Sequence, residues 1–229
     1  MKSILISFSV VAFLGFSGML LLEKKTTLSD FSTLTYNVGE DKKLDGSYTV
    51  ESPDKKTWLR GSYKGDIRSG NWYCFNSSGK VFLRYNYDQK KLLQLDTTAM
   101  KNIQVNILDE SIEAKENASI PVPICSMDQY MSLFSSQIAR IFDKEVNLPS
   151  NEIEMAVVAS LDKRDRVTYK LEYVLGKTTF SAPLKMQETK FDLAWIPASY
   201  GGKSVPSEFI VKSIYKKGAD EKYRFKWNY

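Results

Sequence analysis

The chain has 229 residues, 43% hydrophobic and 13% aromatic, enough apolar mass for one or two cores. Its formal net charge of +5 is dispersed rather than gathered into a basic stripe, which argues against nucleic acid as a partner. Histidine is absent, which removes the commonest general base, the commonest metal ligand and the usual partner of a serine or cysteine nucleophile.

In chain order, residues 1–22, MKSILISFSVVAFLGFSGMLLL, place Lys2 ahead of an unbroken apolar run. This is the pattern of a secretory signal peptide, and the run is also about the ~20 residues that a membrane span requires. The expectation is an exported chain, in the periplasm or cell envelope, attached to a membrane only if the leader stays uncleaved. Cys74 and Cys125 would then face an oxidising compartment, and the sequence allows either a disulfide or two buried thiols.

Residues 31–108 contain a repeat. GSYTVESPDKKTWLRGSYKGDIRS (46–69) aligns with GNWYCFNSSGKVFLRYNYDQKKLL (70–93) at an offset of 24 residues. The offset matches Gly46 with Gly70, Tyr48 with Trp72, Trp58 with Phe82, Arg60 with Arg84 and Tyr63 with Tyr87. Each unit reads as a β-hairpin, with SPDKK or NSSGK as the turn. Pro53 suits an early turn position, and Gly79 supplies positive φ. Simple alternation sends Val81, Leu83 and Tyr85 to one face and Phe82, Arg84 and Asn86 to the other.

The stretch GSYKGDIRSGNW (61–72) resembles the MORN-type repeats of bacterial envelope proteins. That resemblance implies a ladder of antiparallel hairpins.

Residues 109–125 read as a linker after a strand near Ile103–Ile107. Their acidic patch (Asp109, Glu110, Glu113, Glu116) lacks the spacing and glycine of a calcium loop and reads as solvated. A helix is expected from Ser126, where Gln129 completes a capping-box pattern and Tyr130, Phe134, Ile138 and Phe142 form an apolar stripe. It should end before Pro149. Two strands follow, EIEMAVVASLD and RVTYKLEYVL, joined by the turn DKRD. FSAPLKMQETKFDLAW (180–195) reads as a second helix with Pro183 in its first turn, and two strands close the chain.

With Pro149, VVASLDKRDRV and then Trp195, Pro197, Ala198, Gly202 and Val205, residues 126–229 resemble the C-terminal domain of TonB and its relatives. The resemblance implies an α+β domain, helices packed on an antiparallel sheet, behind the N-terminal repeat sheet. On this reading Trp195 closes the second helix onto the sheet, Pro197 stops the helix and Gly201–Gly202 reverses the chain. The turn glycine of the family is Asp165 here, and the long Pro/Lys-rich spacer of an energy transducer is missing.

The expected function is therefore a non-catalytic envelope protein that binds another protein, an outer-membrane receptor or a different envelope component. The last strand offers Tyr223, Phe225 and Trp227 as an edge for strand addition. A divergent, membrane-anchored TonB-like transducer is the alternative. An enzyme would need Cys74, or Asp162 with Asp165, without a visible base. No catalytic residue, cofactor or metal is expected.

Overall fold

The computed structural model describes residues 21–100, 103–143, 152–186, 191–217 and 223–227. The leader up to residue 20 and Pro149 lie outside them. Two antiparallel sheets with one long helix account for the architecture.

The first sheet is a meander of seven strands in chain order: β1 (Leu22–Thr27), β2 (Thr33–Val38), β3 (Leu44–Glu51), β4 (Thr57–Lys64), β5 (Ile67–Phe75), β6 (Val81–Asn86) and β7 (Lys91–Leu95). Alternation decides its faces. Leu34, Val50, Leu59, Cys74 and Leu83 pair in register across β2 to β6 and are at most 1% exposed.

The 24-residue period extends one unit further upstream than the residue matches show. The same pair of turn bonds recurs at Leu28–Ser32, Ser52–Lys56 and Asn76–Lys80. Phe31, Lys55 and Gly79 take positive φ at equivalent places (64°, 62° and 77°), as do Lys42, Asp66 and Lys90 in the opposite turns (66°, 68° and 50°). The backbone thus repeats where the side chains have diverged, because a left-handed residue is a requirement of turn geometry and side-chain identity is not.

Simple alternation fails at the repeated aromatics. The register runs Val50↔Leu59 and then Glu51↔Thr57, which leaves Trp58 unpaired, and Cys74↔Leu83 and then Phe75↔Val81, which leaves Phe82 unpaired. Each is the extra residue of a β-bulge, and the bulge turns it inward beside its neighbour. Trp58 is 9% and Phe82 1% exposed, although strict alternation sends Phe82 to the face opposite Leu83.

The second sheet draws on the whole length of the chain. After β8 (Ile103–Ile107), α1 (Ile112–Asn117), β9 (Val122–Pro123) and α2 (Met127–Phe142) come β10 (Glu152–Leu161), β11 (Val167–Leu175) and β12 (Thr178–Leu184). The short strands β13 (Trp195–Ile196), β14 (Ser199–Tyr200) and β15 (Lys203–Ser204) precede the long β16 (Ser207–Lys217) and β17 (Tyr223–Trp227). The strand order is β12-β11-β10-β16-β17. One flank of β16 is shared: Ser207–Val211 pairs with β8 and Ser213–Lys217 with β17.

The α+β expectation is corrected. Of the described residues, 54% are strand and 14% helix, with two α-helices, so the protein is mainly β. The second helix is where the reading failed. Thr178–Leu184 pairs with β11 as an edge strand, with Pro183 opposite Lys170. An edge tolerates proline because the missing N–H leaves one flank without a ladder bond. Trp195, read as a helix end, pairs instead with Pro123 in a two-residue ladder.

α2 is buried almost all round through its first two turns. Tyr130 packs edge-on against Phe209 (5.7 Å between centroids) and Trp195 (5.9 Å), and Phe134 packs on Tyr169 (5.0 Å). Near the C-terminal end Phe142 stacks on Tyr215 at 4.6 Å. Ser132 Oγ donates to Asp30 Oδ2 in the β1–β2 turn (2.7 Å), so the helix also holds the first sheet. One continuous core joins both sheets through α2. Ser126 is the N-cap residue, but its hydroxyl makes no capping bond, and Gln129 is fully buried. The stretch read as a linker contains α1, capped by Ser111 Oγ accepting from Ala114 N (3.2 Å), and the buried run Val122–Cys125.

Candidate functional site

The residues from Trp195 to Val205 are positioned by packing. The Trp195 indole N–H donates to the Tyr169 hydroxyl (2.9 Å), and its ring meets Phe209 edge-on at 5.3 Å. Ala198 and Val205 join Ala114 in a small separate core, and Val205 N donates to Ala198 O at 2.9 Å. Between them Gly201 and Gly202 (φ 56° and 74°) close the β14–β15 turn. Pro197 follows β13 directly and stops no helix. These residues bring two short strand pairs onto the second sheet, and none lines a cavity with a reactive group.

Tyr223, Phe225 and Trp227 lie on β17, in register with Lys217, Tyr215 and Ser213. Among the described residues β17 pairs with β16 alone, so it ends the sheet. Most of the other edges are protected, although β8 also pairs with β16 alone in an unbroken register. β12 carries Pro183, β1 carries Lys24 and Lys25, and β7 meets β6 through a register shift. β17 has neither proline nor bulge in its register, and its charged residues are Arg224 and Lys226.

One cluster had no counterpart in the sequence reading. The Arg68 side chain is 9% exposed and sits over the Trp72 ring, its guanidinium carbon 4.6 Å from the centroid. Arg68 Nε donates to the Tyr63 hydroxyl (3.1 Å), Nη1 to the Tyr87 hydroxyl (2.8 Å) and Nη2 to the Asp192 carbonyl. The Asp192 carboxylate lies 3.6 Å away and is 90% exposed, so the ion pair itself contributes little. Trp72 in turn meets Tyr48, Tyr63 and Tyr87 at 5.4–5.5 Å. The repeat-equivalent aromatics thus form one stack, and Arg68 fastens residues 191–194 to it. The period pointed to the aromatics; nothing marked Arg68, which the alignment sets against Leu92.

Cys74 and Cys125 are free thiols, both buried in the shared core. Burial pushes both well above the ordinary thiol range, so neither has the thiolate character of a nucleophile. Burial also pushes the Tyr87 phenol up to about 12, against the opposing pull of Arg68. Groups raised in the folded state leave stability intact below their unfolded pKa and erode it as pH rises above that value. Stability should therefore fall from the ordinary thiol value of 9.0 upward, with the Tyr87 contribution lost between 10.0 and about 12. Urea unfolding across this range checks the slope, and both cysteines should resist a thiol reagent until the chain unfolds.

Among the described residues no helix is long and apolar enough to cross a membrane. Compared with known proteins, the chain matches no family model, no curated protein and no solved structure.

Proposed function

We propose that this is an exported, non-catalytic cell-envelope protein that binds another protein by strand addition at β17. The observation that carries the reading is that, among the described residues, β17 is paired on one flank only and has neither proline nor bulge in its register. An extended peptide can continue the ladder there through backbone bonds, with side-chain selection on alternate residues.

Two neighbouring prolines test it. In an antiparallel ladder, consecutive residues point their N–H groups alternately toward and away from the paired strand. Of Phe225→Pro and Lys226→Pro, one removes a bond to β16 and the other an outward-facing N–H. A photoreactive residue at Arg224 should give one discrete adduct in the envelope. The proline variant that keeps the parent melting midpoint should abolish it. An adduct that survives both prolines, or no adduct in the parent, overturns the proposal.

A further inference from the structure

The face of the first sheet opposite the core carries a second cross-strand row. It runs Lys25, Thr35, Thr49, Arg60, Tyr73, Arg84 and Gln94, one residue from each of the seven strands, each paired in register with the next. All seven are half-buried or exposed, whereas the adjacent row from Leu34 to Leu83 is sealed in the core. The row contains three cations and no carboxylate.

Its centre is built by the repeat. Arg60 and Arg84 occupy equivalent positions in the two matched units, on β4 and β6, and the pairing sets them on either side of Tyr73 on β5. Each guanidinium carbon lies 5.5 Å from the Tyr73 ring centroid. Among the described residues neither arginine forms an ion pair. Arg84 Nε is buried with no hydrogen-bond partner, a donor that a native fold seldom leaves unused. Two oriented guanidiniums without a carboxylate in their row or an ion pair of their own make a charge-complementary seat for anions, and arginine favours the planar, two-oxygen carboxylate.

The surroundings select among anionic partners. On one side of the row Asn37 and Ser47 bond to each other and Asn86 Nδ2 donates to Asn71 Oδ1 (2.9 Å), so the positions there are amides and hydroxyls; the other side holds Glu51 paired with Thr57 and Phe75 paired with Val81. A protein partner would want a desolvated apolar centre, which this row lacks. A single-stranded nucleic acid would want several stacking rings in succession, and the row has one. Two cations with hydroxyl and amide groups along one side suit a sugar chain that carries carboxylates.

We propose that this face binds an acidic polysaccharide, with Arg60 and Arg84 donating to its carboxylates and Tyr73 holding the two guanidiniums in place between them. The surface is independent of the β17 edge: variants there should leave it intact, and its failure leaves the strand-addition reading standing.

The test is binding of oligogalacturonate to the full chain, purified after export with its own leader. Neutral dextran oligomers, polyglutamate and oligothymidylate serve as comparison probes. Saturable binding of oligogalacturonate is expected, stronger than that of all three. Arg60→Gln and Arg84→Gln should each weaken it about tenfold, the scale of one lost charged hydrogen bond. Tyr73→Phe should retain binding and Tyr73→Ser lose it. Arg60 is exposed, so Arg60→Gln should keep the parent melting midpoint and decides the question even if a variant at Arg84 unfolds. Absence of binding, equal binding of any comparison probe, or a folded Arg60→Gln variant that binds like the parent overturns the proposal.

Discussion

Replacing Arg68 with alanine should cost about 3–4 kcal/mol of stability, although Arg68 is neither apolar nor in a strong ion pair. Its removal takes hydrogen bonds from the Tyr63 and Tyr87 hydroxyls, about 1 kcal/mol or more apiece. It also removes the cation over Trp72, a further ~1–2 kcal/mol at a desolvated site, and the bond to the Asp192 carbonyl. Arg68→Lys should recover little. A single ammonium cannot direct separate donors at two phenols and a carbonyl while lying flat on an indole. For a chain of this size the melting midpoint should fall by roughly 10 °C. A lysine variant within about 1 kcal/mol of the parent in urea unfolding would show that charge alone suffices, and the clamp reading would fail.

Gly61→Ala should be at least as damaging. A Cβ built there would stand 2.3 Å from Trp72 Cδ2 and Cε2. Trp72 has no exposed surface and is enclosed by Tyr48, Tyr63, Tyr87 and Arg68, so the ring cannot retreat. Overpacking against a fixed ring should cost about 3 kcal/mol or more. A double-mutant cycle isolates the cause. Trp72→Ala alone should cost about 3–5 kcal/mol, and adding Gly61→Ala to it should cost almost nothing, because the obstructing ring is gone. Additive losses would instead place the effect in the backbone at Gly61. Within the repeat, the glycine lets an indole lie directly on the neighbouring strand.

The hairpin repeat was legible because turn chemistry and spacing are local. Ser52 and Asn76 begin equivalent turns, and the equivalent aromatics share one stack. Upstream, YNVGEDKKLDG (36–46) suggested only a degenerate half-unit, and the turn at Leu28–Ser32 was harder to see because little beyond its backbone and Asp30, the counterpart of Asp54, repeats. The strands Glu152–Leu161 and Val167–Leu175 were equally plain, as alternating runs around a polar turn in which Asp165 takes φ 60°.

The segment around Pro183 was not legible. FSAPLKMQ has residues compatible with a helical first turn, and only the open flank of β11 makes a strand the better use of them. The inward turn of Trp58 and Phe82 was hidden for a related reason: a bulge is set by the register of two strands, and one strand cannot display it. Of the proposed sites, the terminal strand was visible as an aromatic, alternating end segment. That it lies at an edge depends on β8 and β17 sharing one flank of β16, a contact between residues about a hundred positions apart.

By itself the sequence determined the matched hairpins and their turns, the β10–β11 pair, the 24-residue period, the start of α2 and the absence of histidine chemistry, because each follows from local propensity and composition. Only the tertiary structure decided that β8 belongs to the second sheet, that α2 serves both sheets, and that Arg60 and Arg84 flank Tyr73. Those arrangements depend on which distant strands share hydrogen bonds. A backbone offers the same donors and acceptors at every residue, so that choice is made by the packing of the whole chain.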